Sequence, residues 1–166
     1  MSDFIQLRHQ SLCELDCPRP FTLVLPPMRS QVNLSRIVRA ASCLGITQII
    51  ACGQAKVDRK IARDAADAID LQIHRSMPPV IEKLRADGFD IVGLEQCSGS
   101  IRLYDYSFNR KTALVVGNER KGIDTDVLKM LDAAVEIPVH GLPHSFNAAT
   151  ATVIAMYEYC RQFPSG

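Results

Sequence analysis

The chain has 166 residues, enough for one domain with a real core; 47% hydrophobic and 22% charged residues exclude a disordered or fibrous protein. Its longest apolar runs, such as 46–52, fall far short of the roughly 20 residues that cross a bilayer, and Asp3 and Arg8 interrupt any signal-peptide core, so a cytoplasmic protein with no membrane segment is expected. A net charge of +1 gives no bulk attraction for a polyanion, so any nucleic-acid surface must come from local clustering of cations.

Residues 1–20 are poorly patterned and end at Pro18 and Pro20, which reads as a variable N-terminal arm ahead of a single domain over 21–163. From there short apolar runs rich in β-branched residues alternate with helical patterns. Strands are predicted at 21–25 (FTLVL), 46–52, 71–74, 89–94, 112–116 (TALVV) and 134–139, and helices at 33–44, 78–86, 125–131 and 146–161. Runs this continuously apolar suit strands covered on both faces, as in a parallel sheet, so the fold class is a single-domain α/β fold. Asn33 is placed to cap the first helix and Gly45 to stop it, and residues 164–166 are expected to fray. The six cysteines, at 13, 17, 43, 52, 97 and 160, form no CxxC pair and no metal-ligand spacing. They read as scattered, mostly buried thiols, and no metal is expected.

Three polar, glycine-bearing stretches interrupt this pattern. The first runs from Asn33 through Ser35, Arg36 and Arg39 to Gly45. Two guanidiniums one turn apart at a helix start oppose the macrodipole, which suits either a phosphate grip or a solvated basic face. The second, Gly117-Asn118-Glu119-Arg120-Lys121-Gly122, follows the 112–116 strand. Ligands of open α/β sheets bind at that carboxyl edge, yet no GxGxxG or GxxxxGK[ST] fingerprint accompanies it; an ordinary charged turn is the plain alternative. The third, Ile137-Pro138-Val139-His140-Gly141-Leu142-Pro143-His144-Ser145-Phe146-Asn147, is a stiff loop feeding the last helix. Ser145 or Asn147 can serve there simply as an N-cap. The His–Ser pairs lack a GxSxG elbow and an orienting acid, so hydrolase chemistry is set aside.

In this order and spacing the three stretches resemble the motifs of the SpoU/TrmH branch of the SPOUT methyltransferases, an Asn-x-Gly/Ser-x-x-x-Arg helix start, a Gly-x-Glu-x-x-Gly turn after a strand, and Ile-Pro with a loop to Ser-Leu-Asn. Asn33, Ser35, Arg39 and Gly45 match the first, Gly117, Glu119 and Gly122 the second, and Ile137, Pro138, Gly141, Ser145 and Asn147 the third. Ser35 stands where Gly is commoner and Phe146 where Leu is commoner. The resemblance covers about residues 20 to 160.

The resemblance implies a parallel α/β sheet with a C-terminal trefoil knot, an exception to unknotted topology, and a homodimer with its active site at the subunit interface. It implies S-adenosylmethionine held at Leu94, Glu95, Gly117, Ile137, Leu142, Ser145 and Phe146, and methylation of a ribose 2′-hydroxyl in structured RNA, tRNA before rRNA. Arg39 is then the catalytic arginine, acting on the adjacent phosphate and on charge developing at oxygen rather than as a base, since a guanidinium keeps its proton. Asn33 would orient Arg39 or the ribose, Glu119 a guanidinium, and Ser145 and Asn147 would contact cofactor or substrate. Arg29, Arg36 and the strip Lys56, Arg59, Lys60 and Arg63 are the candidate RNA-phosphate track; a solvated helix face with Asp58 and Asp64 as ion-pair partners is the alternative for that strip. The competing functional readings are a non-catalytic RNA-binding or assembly protein retaining the fold and, more remotely, another α/β nucleotide-binding enzyme.

Overall fold

A computed structural model describes residues 11–166; the first half of the predicted arm, with Asp3 and Arg8, lies outside the described residues. The elements run β1 (Phe21–Leu25), α1 (Gln31–Cys43), β2 (Gln48–Cys52), α2 (Arg59–Ala62), α3 (Ala65–Ala68), β3 (Asp70–His74), α4 (Met77–Ala86), β4 (Asp90–Leu94), β5 (Ile101–Arg102), a 3₁₀ turn (Leu103–Asp105), β6 (Thr112–Val116), α5 (Thr125–Leu128), β7 (Ala133–Glu136) and α6 (Ala148–Gln162). The strands form one seven-stranded sheet in the order β3-β2-β1-β6-β4-β7-β5, every pair parallel.

The unbroken apolar runs have a direct cause. Successive side chains of a strand point to opposite faces, and here both faces are packed. Leu23, Leu25, Ile49, Val92 and Leu114 join one buried cluster with Ile37 and Val38 of α1 and Met156 and Tyr159 of α6. Val24, Ile50, Ile91, Ala113 and Val115 join a second with Val80, Ile81 and Leu84 of α4 and Val127 of α5. The two edge strands and β7 depart from this pattern. No residue of β3 is buried, and Ile73 is 57% exposed.

Several expectations need correction. Ser30, not Asn33, caps α1: its hydroxyl accepts from Asn33 N at 3.2 Å, and Asn33 sits buried inside the helix. Gly45 does follow the helix end, at φ +68°. β7 stops at Glu136 rather than 139, because Pro138 has no N–H to extend a ladder. α5 ends at Leu128 rather than 131. α6 begins at Ala148, capped by Asn147, whose Oδ1 accepts from Ala149 N at 3.0 Å and Thr150 N at 3.4 Å. α2, α3 and β5 were not anticipated. Of the six thiols only Cys52 and Cys160 are buried; Cys13 and Cys43 are exposed. The C-terminal residues are held rather than frayed. Asp16 N donates to Ser165 O at 2.9 Å, and buried Arg19 donates to the carbonyls of Leu44 (2.9 Å), Pro164 (3.3 Å) and Phe163. No helix among the described residues is long and apolar enough to cross a membrane.

Candidate active site

β4, β6 and β7 are neighbours in the sheet, and their registers bring Leu94 level with both Val116 and Val135. The chain segments leaving these three strands therefore converge at one carboxyl edge, the place where open α/β sheets bind ligands.

Glu95, the first residue beyond β4, anchors the turn beyond β6. Its Oε2 accepts from Ile123 N at 2.8 Å and its Oε1 from Gln96 N at 3.1 Å. That carboxylate explains the glycines. Gly122 sits at φ +69°, and a β-carbon there would lie 2.4 Å from Glu95 Oε2; one on Gly117 would lie 2.7 Å from the Gly122 carbonyl carbon. Asn118 closes the turn through two backbone bonds with Gly122, each 2.9 Å, and its Nδ2 donates to Pro27 O at 3.1 Å. The glycines thus admit a carboxylate and a backbone crossing. The family resemblance gives Glu95 a cofactor contact, and the sequence alone misses this anchoring role and that of Asn118.

The turn presents Glu119 to the start of α1. Asn33 Nδ2 donates to Glu119 Oε1, and Asn147 Nδ2 donates to Asn33 Oδ1, both at 3.4 Å. One residue from each sequence motif thus meets at a single point. Glu119 Oε2 is buried with no hydrogen-bond partner among the described residues, and such an orphan acceptor calls for a donor from elsewhere. Within one chain Asn33 therefore contacts Glu119 and Asn147, and the Glu119 contact is to an amide.

Two adjoining cavities flank this point. One, about 160 Å³, is lined by Leu94, Glu95, Ile137, His144, Ser145 and Phe146. The other, about 500 Å³, is lined by Gly117, Glu119, Arg120 and Asn147 and shares Leu94, Glu95, Ser145 and Phe146 with the first. Apolar walls, backbone loops and carboxylates are chemistry that a cationic sulfonium joined to an adenosine can use, and six of the seven predicted cofactor residues line one cavity or both. Leu142, 82% exposed, lines neither cavity.

Arg39 also stands apart. It is exposed on α1 and lines a separate apolar depression of about 450 Å³ with Arg36, Ile61, Val153 and Tyr157. The other predicted RNA-facing cations are exposed. Arg29 and Lys56 share a cavity of about 560 Å³, while Arg59 is held by both oxygens of Asp67 at 2.8 and 2.9 Å, not by Asp58 or Asp64. Asp58 instead caps α2, accepting from Lys60 N at 2.8 Å.

A sequence model described as the SpoU rRNA Methylase family matches residues 20–157. An Escherichia coli (strain K12) protein named tRNA (guanosine(18)-2′-O)-methyltransferase is 24% identical over 160 residues, covering 93% of this chain and 70% of that protein. The fold superposes on the TrmH/SpoU tRNA modifying enzyme of A. aeolicus with a TM-score of 0.84 at 23% identity, over 90% of this chain and 78% of that one. An AdoMet-bound rRNA methyltransferase from Sinorhizobium meliloti gives a TM-score of 0.76 at 26% identity, covering 85% of this chain and 56% of that chain.

Proposed function

Because the chain belongs to the SpoU rRNA methylase family, we propose that it methylates a ribose 2′-oxygen of RNA, with S-adenosylmethionine as donor and tRNA as the preferred class. The observation that carries this reading is the meeting of Asn33, Glu119 and Asn147 beside the paired cavities. Glu119 and Asn147 lie 86 and 114 positions from Asn33, and their converging there serves no local purpose, since a cap or a turn needs none of them together. The named activity of the Escherichia coli relative supports tRNA, and the Sinorhizobium meliloti neighbour keeps rRNA as the second class.

When bound, S-adenosylmethionine supplies an electrophilic methyl carbon, and transfer needs the 2′-oxygen in line behind it. Positioning contributes much of such a displacement. Glu119 Oε2, left without a donor, accepts from the incoming ribose and fixes its attitude. Asn33 and Asn147 hold that carboxylate in place. Ser145 lies on both cavities and reaches cofactor and acceptor alike. Arg39 grips the phosphate next to the reacting ribose and stabilises negative charge as it develops on the 2′-oxygen; the proton leaves to that phosphate or to water.

Arg39 and Glu119 line different cavities of one chain, which supports a homodimer as the working unit. Leu103, Tyr104, Val153, Ile154 and Tyr157 form an apolar patch beside the Arg39 depression, with Tyr104 57% and Tyr157 64% exposed. A second copy on this face buries those rings and brings Arg39 to a completed site. The trefoil knot belongs to the same reading, supported by β7 lying between β4 and β5, both earlier in the chain. So does residence in the cytoplasm, where RNA substrates of this class are met.

Calorimetry with S-adenosylmethionine, followed by transfer of tritium from its labelled methyl group to bulk tRNA, tests the proposal. Saturable binding and label recovered in ribose-methylated, nuclease-resistant dinucleotides are expected. No heat of binding and no label in tRNA or rRNA would reduce the chain to an RNA-binding relic.

A further inference from the structure

The carboxyl ends of β1, β2 and β3 enclose the 560 Å³ cavity that holds Arg29 and Lys56, on the other side of the α1 start from the Asn33–Glu119–Asn147 point. Its volume lies in the range of small-molecule sites. Its chemistry is divided. Met28, Leu34 and the exposed Ile73 give apolar surface, whereas Gln31 and Gln54 place two side-chain amides on its wall. Among the described residues neither amide has a hydrogen-bond partner, and neither Arg29 nor Lys56 has a carboxylate. No acidic residue lines the cavity.

That combination matches one kind of ligand. A nucleotide brings a flat, largely apolar ring, a hydrogen-bonding edge and an anionic phosphate, and sequence-specific RNA recognition works on unstacked bases read along such edges. A glutamine amide carries both donors and an acceptor, so two of them on one wall can distinguish bases rather than merely tolerate them. The cavity also neighbours the proposed site along the chain: Leu34 lines it while the adjacent Asn33 donates to Glu119, and Asn118 of the Glu119 turn donates to Pro27 O, one residue before Met28.

We propose that this cavity receives the base of a nucleotide flanking the methylated one, with Gln31 and Gln54 reading its edge and Arg29 and Lys56 holding its phosphate. This rests on the RNA-methyltransferase reading and adds to it a base-specificity site built outside all three motifs.

The test uses the full chain saturated with S-adenosylhomocysteine and titrated with AMP, GMP, CMP and UMP, followed by amide NMR. Shifts at residues 53–56 and 31 with a preference among the four bases are expected. Gln31→Ala with Gln54→Ala should narrow that preference by about fivefold or more, the scale of a lost base-edge contact, while Arg29→Ala with Lys56→Ala should weaken all four alike. Both pairs are exposed, and unchanged backbone spectra confirm the fold. Shifts confined to residues 117–119 and 145–147, no shifts with any nucleotide, or a preference untouched by the glutamine pair would each overturn the proposal. S-adenosylhomocysteine binding and methyl transfer to bulk tRNA, measured in parallel on wild type, report on the methyltransferase reading separately.

Discussion

The side chain of Arg39 has no hydrogen-bond partner among the described residues and lines a cavity that Glu119 and Ser145 do not share. On the proposed mechanism Arg39 acts on the RNA and leaves the cofactor untouched. Arg39→Ala should therefore lower methyl transfer by about 10²-fold or more, the scale of a lost electrostatic stabiliser, with S-adenosylmethionine affinity unchanged within about threefold. Near-wild-type turnover on tRNA would take Arg39 out of the mechanism. Ser35, where the family resemblance has Gly more often, makes a different case. It is fully buried, donates to Gln31 O at 2.7 Å and accepts from Asp58 N at 2.8 Å, so it staples α1 to the cap of α2. Ser35→Ala leaves the Asp58 amide without its acceptor and should cost about 1–2 kcal/mol, read as a lower urea midpoint at unchanged slope. A midpoint equal to wild type would mean that water replaces the hydroxyl.

At the scale of elements, α6 is fastened by Tyr159, whose hydroxyl donates to Arg110 O at 2.5 Å and whose ring packs on Phe21, Phe108 and Phe163. Burial pushes its phenol up to about 12, and burial with the Asp90 carboxylate does the same for Tyr106. Both folded groups keep protons that the unfolded chain releases near pH 10. The native state then binds more protons than the unfolded one above that point, so stability is full below pH 10 and falls as pH rises towards 12. Buried Cys52, pushed up to about 11, adds the same sign from lower pH. Urea melts between pH 7 and 11 should show this decline, and Tyr159→Phe should flatten part of it while costing about 1 kcal/mol at pH 7; an equally steep decline in the variant would assign it to other groups. The elements that bind this core were legible in sequence for a physical reason. β1, β4 and β6 are packed on both faces, so burial wrote unbroken apolar runs. α2 and α3, of four residues each, are too short to carry a 3.6-residue period, and β5 has two residues on an edge. Asn33 read as a cap because its real partners lie 86 and 114 positions away, which no local pattern encodes. The three motifs were visible, but only the fold reveals that they meet at Glu119 and that Arg39 does not join them within one chain.

For the whole molecule the question is how a chain of net charge +1 assembles and holds a polyanion. Assembly comes first: Tyr157 is 64% exposed, so Tyr157→Glu spares the monomer's core while placing a charge in the proposed interface. Light scattering at micromolar concentration should give a dimer for wild type and a monomer of low activity for the variant; a fully active monomeric wild type would contradict the shared site. Phosphate binding then depends on which cations are free. Arg59 is engaged on both sides of its guanidinium fork by Asp67, whereas the side chains of Lys56 and Lys60 have no acidic partner among the described residues. Three phosphate contacts from Lys56, Arg59 and Lys60 would contribute about 2.1 to the slope of log affinity against log salt, at ~0.7 per single-strand contact. The Arg59–Asp67 pair reduces that expectation to about 1.4, carried by the two lysines. Lys56→Ala with Lys60→Ala should accordingly flatten the slope by about 1.4, and adding Arg59→Ala should change it little further. Loss of affinity should be similar across RNA sequences at Lys60, which reaches only backbone charge, and cofactor binding should not move. A slope unaltered in the double variant would show these lysines to be a solvated face, leaving RNA to Arg29, Arg36 and the second subunit. A further drop of about 0.7 on removing Arg59 would show that phosphate displaces Asp67 from its guanidinium.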